Sequence, residues 1–351
     1  MVVVGADVHK RSHTFVAVDE VGRKLGEKTV KATTEGHRAA VIWARDRFGT
    51  ELRWGIEDCR NMSARLERDL LDADQAVVRV PTKLMAATRK SARTRGKSDP
   101  IDAEAVARAV LREPDLQVAS HDEVSRELKL LTDRRAVLVA QRTSAINRLR
   151  WNVHELEPGR EPAPRKLSAV VHQQALGAWL QSVPGLVAEL ARAELADVIR
   201  LCGEIATLTR RIGERVREVA ASLLAIPGCA ELTAAKLVGE AAGVARFKSE
   251  AAFACHAGVA PIPVWSGNTA GQMRLSRSGN RQLNTAIHRI ALTQIRMPDT
   301  AGHASYLRLT TEGKTKAAAR RCIKRRIARA VYRALLADHN TRQKPLQTAA
   351  A

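Results

Sequence analysis

Residues 2–8 (VVVGADV), 13–19 (HTFVAVD), 25–32 (LGEKTVKA) and 52–57 (LRWGIE) decide how the first third of this chain folds. The first is a nearly continuous apolar run and the second is rich in β-branched and aromatic residues. Val21-Gly22-Arg23 supplies a turn into the third, so three strands are expected. Thr34 then caps a helix over residues 35–47 with Ala39, Ala40, Ile42 and Trp43 as its apolar positions. Residues 52–57 form a fourth strand, residues 62–73 a helix, and residues 75–80 (QAVVRV) a fifth strand stopped by Pro81. A basic segment leads to a helix over residues 100–112. Three antiparallel strands followed by alternating helices and strands is the order of an α/β, ribonuclease-H-like (RNase H-like) domain, expected over residues 1–120.

Beyond residue 120 the period changes. Leu128, Leu131, Leu138, Ala145 and Leu149 share one helical face, and Leu201, Ile205, Leu208, Ile212, Val216, Val219 and Leu223 step by three or four. The breaker EPGREPAPR, residues 157–165, lies between these stripes. Residues 121–224 are therefore expected to form a helical spacer, a coiled-coil or helical-hairpin module that dimerises, with a plain helix bundle as the alternative. Residues 225–340, read as mainly α, open with IPGCAELTAAKL. This is a Pro-Gly turn between two helices that resembles a helix-hairpin-helix element, where backbone N–H groups and a helix N-terminus can approach a phosphate. Residues 341–351 are polar and expected to be a disordered tail.

Hydrophobic residues make up 45% of the 351, enough for a real core, but aromatic residues only 3%, so aliphatic side chains must do the packing. A formal net charge of +21 repels itself unless it meets an anion, which points to nucleic acid or an anionic membrane. No apolar run approaches the roughly 20 residues of a membrane span. The opening MVVVGADVHKRSH lacks the basic-then-apolar order of a signal peptide, so a cytoplasmic location with no membrane partner is expected. Cys59, Cys202, Cys229, Cys255 and Cys322 are scattered with no C-x-x-C pair, which argues against a zinc site or a disulfide framework.

Four carboxylates stand where this fold order would bring them together. Asp7 is near the end of the first strand, Glu57 ends the fourth, and Asp99 and Asp102 open the helix after Pro81. Pro100 at the first helical position makes Asp99 the N-cap and Asp102 the third residue, on one face of the first turn. First and fourth strands are neighbours in such a sheet, with the last helix laid across them. Crowded carboxylates repel unless a cation sits among them, and two Mg²⁺ ions with oxygen ligands suit phosphoryl transfer. Taken singly, each acid is an ordinary turn or cap residue, and Asp58 competes with Glu57; order and basic context together point to a site.

Two basic tracts carry no acid. The first holds Arg79, Lys83, Arg89, Lys90, Arg93, Arg95 and Lys97 and runs straight to the paired aspartates. The second holds Lys316, Arg320, Arg321, Lys324, Arg325, Arg326, Arg329 and Arg333 on a helical period, with Ala319, Cys322, Ile323, Ile327, Val331 and Leu335 as its buried face. Runs of one sign at this density are neutralised best by phosphates, without implying sequence specificity. Arg274, Arg277 and Arg281 interleave with Ser276 and Ser278 in RLSRSGNR and join the nucleic-acid-binding candidates.

GADVHK, GIEDCR and KSDPIDAEAVAR resemble the N-terminal domain of the DEDD insertion-sequence transposases, a family that includes the Piv-type DNA invertases. IPGCAELTAAKLVGE, FACHAGVAPIPVWSGN, RLSRSGNRQLNTAIH and EGKTKAAARRCIKR resemble the C-terminal transposase domain of that family. The resemblance implies a RuvC-like domain whose Asp7, Glu57, Asp99 and Asp102 bind Mg²⁺, and a serine nucleophile, matched here by Ser266 in Ser266-Gly267. It further implies DNA strand cleavage and exchange on donor and target DNA through a phosphoserine link, guidance by a structured noncoding RNA, and dimers that assemble into tetramers. Where many relatives follow the Ser-Gly with a basic cluster, this chain has NTAGQMR. The residues alone would not select Ser266 over Ser276, Ser278 or Tyr306. A Holliday-junction-type nuclease and a nonenzymatic nucleic-acid-binding protein are the alternatives.

Overall fold

The apolar run at the start of the chain becomes the central strand of a five-stranded sheet in the computed structural model. The structure describes all residues except 58–61, 82–83, 86–87, 89–97, 115, 117, 121, 164, 272, 276–278 and 349–351. The chain divides into two units, Met1–His121 and Asp122–Ala351.

In the first unit the elements follow as β1 (Val2–Val8), β2 (Ser12–Val18), β3 (Lys24–Lys31), α1 (Thr34–Phe48), β4 (Leu52–Glu57), α2 (Ala64–Asp72), β5 (Ala76–Val80) and α3 (Asp99–Arg112). The strand order is β3-β2-β1-β4-β5, with β1, β2 and β3 antiparallel and β1, β4 and β5 parallel. The expected adjacency of the first and fourth strands is present. Because β1 is covered on both faces, it reads as an unbroken apolar run rather than an alternating one. Val4, Ala6, Phe15, Trp54 and Ile56 pack under α1 and α2, and Val3, Val16, Val78 and Val80 pack under α3. Trp54 is fully buried and its indole N–H donates to Gln75 Oε1 at 2.9 Å. Each fully buried large side chain here contributes about 1.5–3 kcal/mol. Edge strand β3 carries Lys24, Glu27, Lys28 and Lys31, which discourages pairing with a further strand.

Helix starts fall a residue from the expected places. Thr33 rather than Thr34 caps α1, its hydroxyl accepting from Gly36 N at 3.2 Å. Ser98 precedes α3, so Asp99 is its first helical residue rather than its cap, and Pro100 its second. Either residue of each pair is a competent cap, which is why choosing Thr34 and Asp99 from sequence missed by one residue.

The second unit contains α4 (Glu123–Leu156), α5 (Val170–Ser182), α6 (Leu186–Val219), α7 (Ala221–Leu224), α8 (Glu231–Ala241), α9 (Glu250–His256), β6 (Pro261–Pro263), β7 (Met273–Leu275), α10 (Arg281–Arg296), α11 (Ala301–Thr311) and α12 (Lys316–Thr348). α4 and α6 each run 34 residues, about 50 Å at 1.5 Å per residue. They lie antiparallel, since Arg215 pairs with Glu127, Arg135 with Thr209 and Arg148 with Glu194. Leu138, Ala145, Leu149 and Val153 of α4 meet Leu195, Val198, Leu201 and Ile205 of α6, and Leu176 and Leu180 of α5 close that core. α5 lies between the two apolar stripes, in a stretch for which the sequence reading named no element. A larger core gathers the start of α4, the end of α6 and α8 to α12, with Ala319, Ile323, Ile327 and Val331 of α12 buried as their spacing predicts.

The polar stretch from 341, expected to be disordered, continues α12 to Thr348. Arg342 on that helix donates to the carbonyl of Val219 at 2.6 Å, a tie the sequence could not show. The Pro-Gly turn does join two helices, but Gly228 faces helix α10: a Cβ there would meet Thr293 at 3.0 Å. Gly228 also takes φ 82°, which the turn itself reserves for glycine, so turn geometry and close packing together account for it. Among the described residues no helix is long and apolar enough to cross a membrane.

Candidate functional site

β1 and β4 run parallel in register from Val2↔Leu52 to Ala6↔Ile56. Asp7 and Glu57 are the next residue on each strand, so they emerge side by side at the carboxyl ends, where open α/β sheets place their ligands. Two residues earlier, on the same face, Gly5 and Gly55 are themselves registered partners. α3 lies directly on this glycine pair. A Cβ on Gly5 would fall 2.0 Å from Ala103 O, and one on Gly55 would fall 2.7 Å from Val110 Cγ2. Because Gly5 sits under Ala103 and Ala107, stepping up the strand to Asp7 leads toward the start of the helix, where Asp99 and Asp102 stand. Asp102 is buried and Asp99 exposed.

His9, which the sequence reading passed over, completes the group. Its Nε2 lies 3.0 Å from Asp7 Oδ2 and 3.3 Å from Asp99 Oδ1. One donor atom from each of Asp7, His9 and Asp99 falls within 4.8 Å of the others. The available signal was spacing, since strand alternation puts Asp7 and His9 on one side. Burial raises the Asp7 carboxyl pKa; His9 opposes this, and the charges of Asp102 and Asp99 add to it. Repelling carboxylate oxygens with one imidazole at their rim fit a divalent cation, which would remove the repulsion and supply the charge that burial withholds. Asp58 lies outside the described residues.

Ser266 lies in the connection between β6 and β7, which pair antiparallel as Pro261↔Leu275, Ile262↔Arg274 and Pro263↔Met273. The base of this hairpin is clamped. Asn280 N donates to His256 O at 2.6 Å, and Gly279, at φ 112°, presses against Gly258, where a Cβ would come within 2.7 Å of the backbone nitrogen. The Asn284 amide donates to the carbonyls of Ala257 and Gly258 at 3.1 and 2.9 Å, and Lys324 Nζ donates to Asn284 Oδ1 at 2.6 Å. Asn280 caps α10 through Oδ1 and donates from Nδ2 to Glu240 Oε2 at 2.8 Å. Glu240 is buried, and Lys129 Nζ at 3.0 Å offsets its charge.

Beside the hairpin is a cleft of about 560 Å³ whose lining includes Arg274, Lys314, Arg321, Arg325, Arg326 and Arg329, with Met273 and Leu309 as apolar surface. The lone carboxylate recorded against these cations among the described residues is Glu250, paired with Arg329 at 2.8 Å. Arg325 Nη1 is buried with no hydrogen-bond partner among the described residues. Some sequence candidates, one cleft cation among them, are engaged within the chain. Arg79 is held by Glu67 in a two-point ion pair, and Arg326 donates to Ser305. Lys324 serves the clamp, and burial lowers its pKa. Arg281 and Lys316 are exposed at the starts of α10 and α12, and Arg320 is half-buried. Lys83, Arg89, Lys90, Arg93, Arg95, Lys97, Arg277, Ser276 and Ser278 lie outside the described residues.

Residues 4–158 match the family described as Transposase, of the IS110 DEDD type, and residues 220–307 match the Transposase IS116/IS110/IS902 family. The uncharacterized 42 kDa protein of insertion element IS900 from Mycobacterium paratuberculosis is 28% identical, over 99% of this chain and 98% of that one. The uncharacterized 44.8 kDa protein of insertion element IS116 from Streptomyces clavuligerus is 26% identical, over 88% of each. A solved structure of T. thermophilus RuvC in complex with a Holliday junction substrate aligns over 34% of this chain and 99% of that one, at 15% identity and a TM-score of 0.27.

Proposed function

Taking as premise that the chain belongs to the IS110 family of insertion-sequence transposases, we propose that it cleaves and exchanges DNA strands with two sets of its own groups. Asp7, Glu57, Asp99 and Asp102 hold divalent cations, two Mg²⁺ ions, and Ser266 is the nucleophile. The observation that carries the reading is the register of β1 and β4, which sets Asp7 and Glu57 side by side under the first turn of α3. A bound cation would supply Lewis-acid stabilisation of charge developing on the phosphate. Ser266 Oγ forms the new bond to phosphorus as one ester P–O bond breaks, releasing a strand-end hydroxyl. That bond conserves the phosphodiester energy, and attack by the hydroxyl of another strand restores the serine. The clamp at Asn280 and Asn284 holds the two ends of the serine's hairpin together, which limits the orientations the loop must lose before reaction.

Phosphate contacts in this reading come from the cleft beside the hairpin, supported by its six cations and by the unsatisfied Nη1 of Arg325. Donor and target DNA and a structured guide RNA are the intended polyanions. A second copy of the chain is the intended protein partner, as the first step toward a tetramer. Leu130, Val137 and Trp151, large apolar residues exposed on α4 seven and fourteen residues apart, are the surface offered for it.

The test is trapping. Denaturing a reaction with labelled DNA should leave label on the wild-type protein and none on Ser266→Ala, while Ser266→Ala retains nucleic-acid binding. Cleavage by the wild type with no adduct would instead make the protein a metal-dependent nuclease in which water attacks. Binding without any strand chemistry would reduce it to a nucleic-acid-binding protein.

A further inference from the structure

We infer that His9 is a nitrogen ligand of the cation held by Asp7 and Asp99, and that it gives the acidic site a preference for Mn²⁺ over Mg²⁺. The inference rests on the metal-site reading above and adds to it a residue outside the four carboxylates.

The geometry carries it. An octahedral ion with ligands at about 2.1 Å sets neighbouring ligand atoms about 3.0 Å apart and opposite ones about 4.2 Å apart. His9 Nε2 stands 3.0 Å from Asp7 Oδ2 and 3.3 Å from Asp99 Oδ1, and all three donor atoms fall within 4.8 Å of one another. The three atoms therefore outline part of a coordination shell. In the absence of an ion, the same spacing is filled by N–H donation from His9 to the carboxylates. A cation entering between them would exchange that contact for ligation by the Nε2 lone pair, the Nε2 proton being lost to solvent while the neutral ring keeps its N–H on Nδ1. No large rearrangement is needed, because the donor atoms already stand at these separations.

Donor chemistry then sets the selectivity. Mg²⁺ prefers oxygen ligands and gives up water reluctantly, whereas imidazole nitrogen suits the first-row transition ions. An all-carboxylate site would separate Mn²⁺ from Mg²⁺ only weakly. One imidazole in the shell raises Mn²⁺ affinity while leaving that for Mg²⁺ nearly unchanged.

The experiment uses full-length, nuclease-treated protein and Mn²⁺ alone as the probe. Pulsed electron paramagnetic resonance of bound Mn²⁺ should show coupling to a directly bound ¹⁴N in the wild type and none in His9→Gln. Competition with Mg²⁺ should show the Mn²⁺ preference falling by about 10-fold or more in His9→Gln. Coupling that persists in His9→Gln, or a preference that does not move, overturns the role of His9. Asp102→Asn serves as the separate control, because it removes a carboxylate while leaving His9 in place. If Asp102→Asn and Asp7→Asn both bind Mn²⁺ as the wild type does, the acidic-site reading itself fails. If they lose Mn²⁺ while His9→Gln behaves as wild type, only the present inference fails.

Discussion

The acidic cluster and the serine hairpin are built by opposite means. In the first unit, regular structure does the positioning: register sets Asp7 beside Glu57, and a glycine contact sets α3 above them. In the second, the hairpin is two three-residue strands, too short to hold themselves, and its base is fixed by polar contacts from Glu240, Asn284 and Lys324, residues remote in sequence. Sites of the first kind can be read from periodicity, whereas sites of the second kind depend on contacts that no local pattern announces. The two should also fail differently when disturbed.

The largest separation is expected from Asp7→Asn. It should lower strand transfer by about 10²–10³-fold or more while leaving unfolding unchanged or slightly harder, because burial already disfavours the charged carboxylate. Activity assays beside denaturant melts check this, and a collapse of stability would show that Asp7 is mainly structural. Gly5→Ala should do the reverse in order of cause. The added methyl meets Ala103 O, so α3 must lift, at a cost of about 3 kcal/mol or more, and Mn²⁺ binding should fall along with stability. Normal melting and normal metal binding in Gly5→Ala would remove the glycine joint from the account.

Acid should act on the first unit through His13. Its imidazole is buried and stacked on His37 with centroids 5.0 Å apart, and its pKa is pushed down to about 4, first by burial and then by His37. The unfolded chain therefore binds more protons between about 4 and the ordinary value of 6.5. The stabilisation is full above about pH 6.5 and is lost as pH falls toward 4, up to about 3 kcal/mol in all. Melts of His13→Gln should lose part of this slope, and an identical slope would assign it elsewhere. The smallest effect is expected from Asn284→Ala. It leaves two carbonyls and Lys324 short of a partner, costing about 1–3 kcal/mol, and it should lower adduct formation without altering Mn²⁺ affinity. An equal loss of metal binding would mean that the two regions do not respond separately.

What could be read in the sequence follows the same division. The four acids were legible because strand ends and a Pro-marked helix start are local signals. His9 was not, because it follows the end of its strand and reads as part of a turn. Gly5 and Gly55 were not, because a glycine's purpose lies in what approaches it, although the repeated pattern of glycine two residues before an acid was visible. Ser266 came forward only by resemblance; its own neighbours, Trp265 and Gly267, offer no activating group. The basic tracts were legible as charge but not as individual partners. Glu67 holds Arg79 and Asn284 holds Lys324, and a run of like charges does not reveal which members turn back onto their own chain.

Because Gly5 and Gly55 limit where α3 can rest, the meeting of the carboxylates does not depend on the length of chain that joins them. What that meeting requires is that Asp99 keeps its one-turn offset from Ala103, whose carbonyl faces Gly5. The acidic cluster reduces to three short segments, G-A-D, G-I-E and D-P-I-D-A. Transplanted onto another sheet with the same strand order, they should carry their mutual spacing with them. The joint would then be a portable part, defined by its glycines and not by its surroundings.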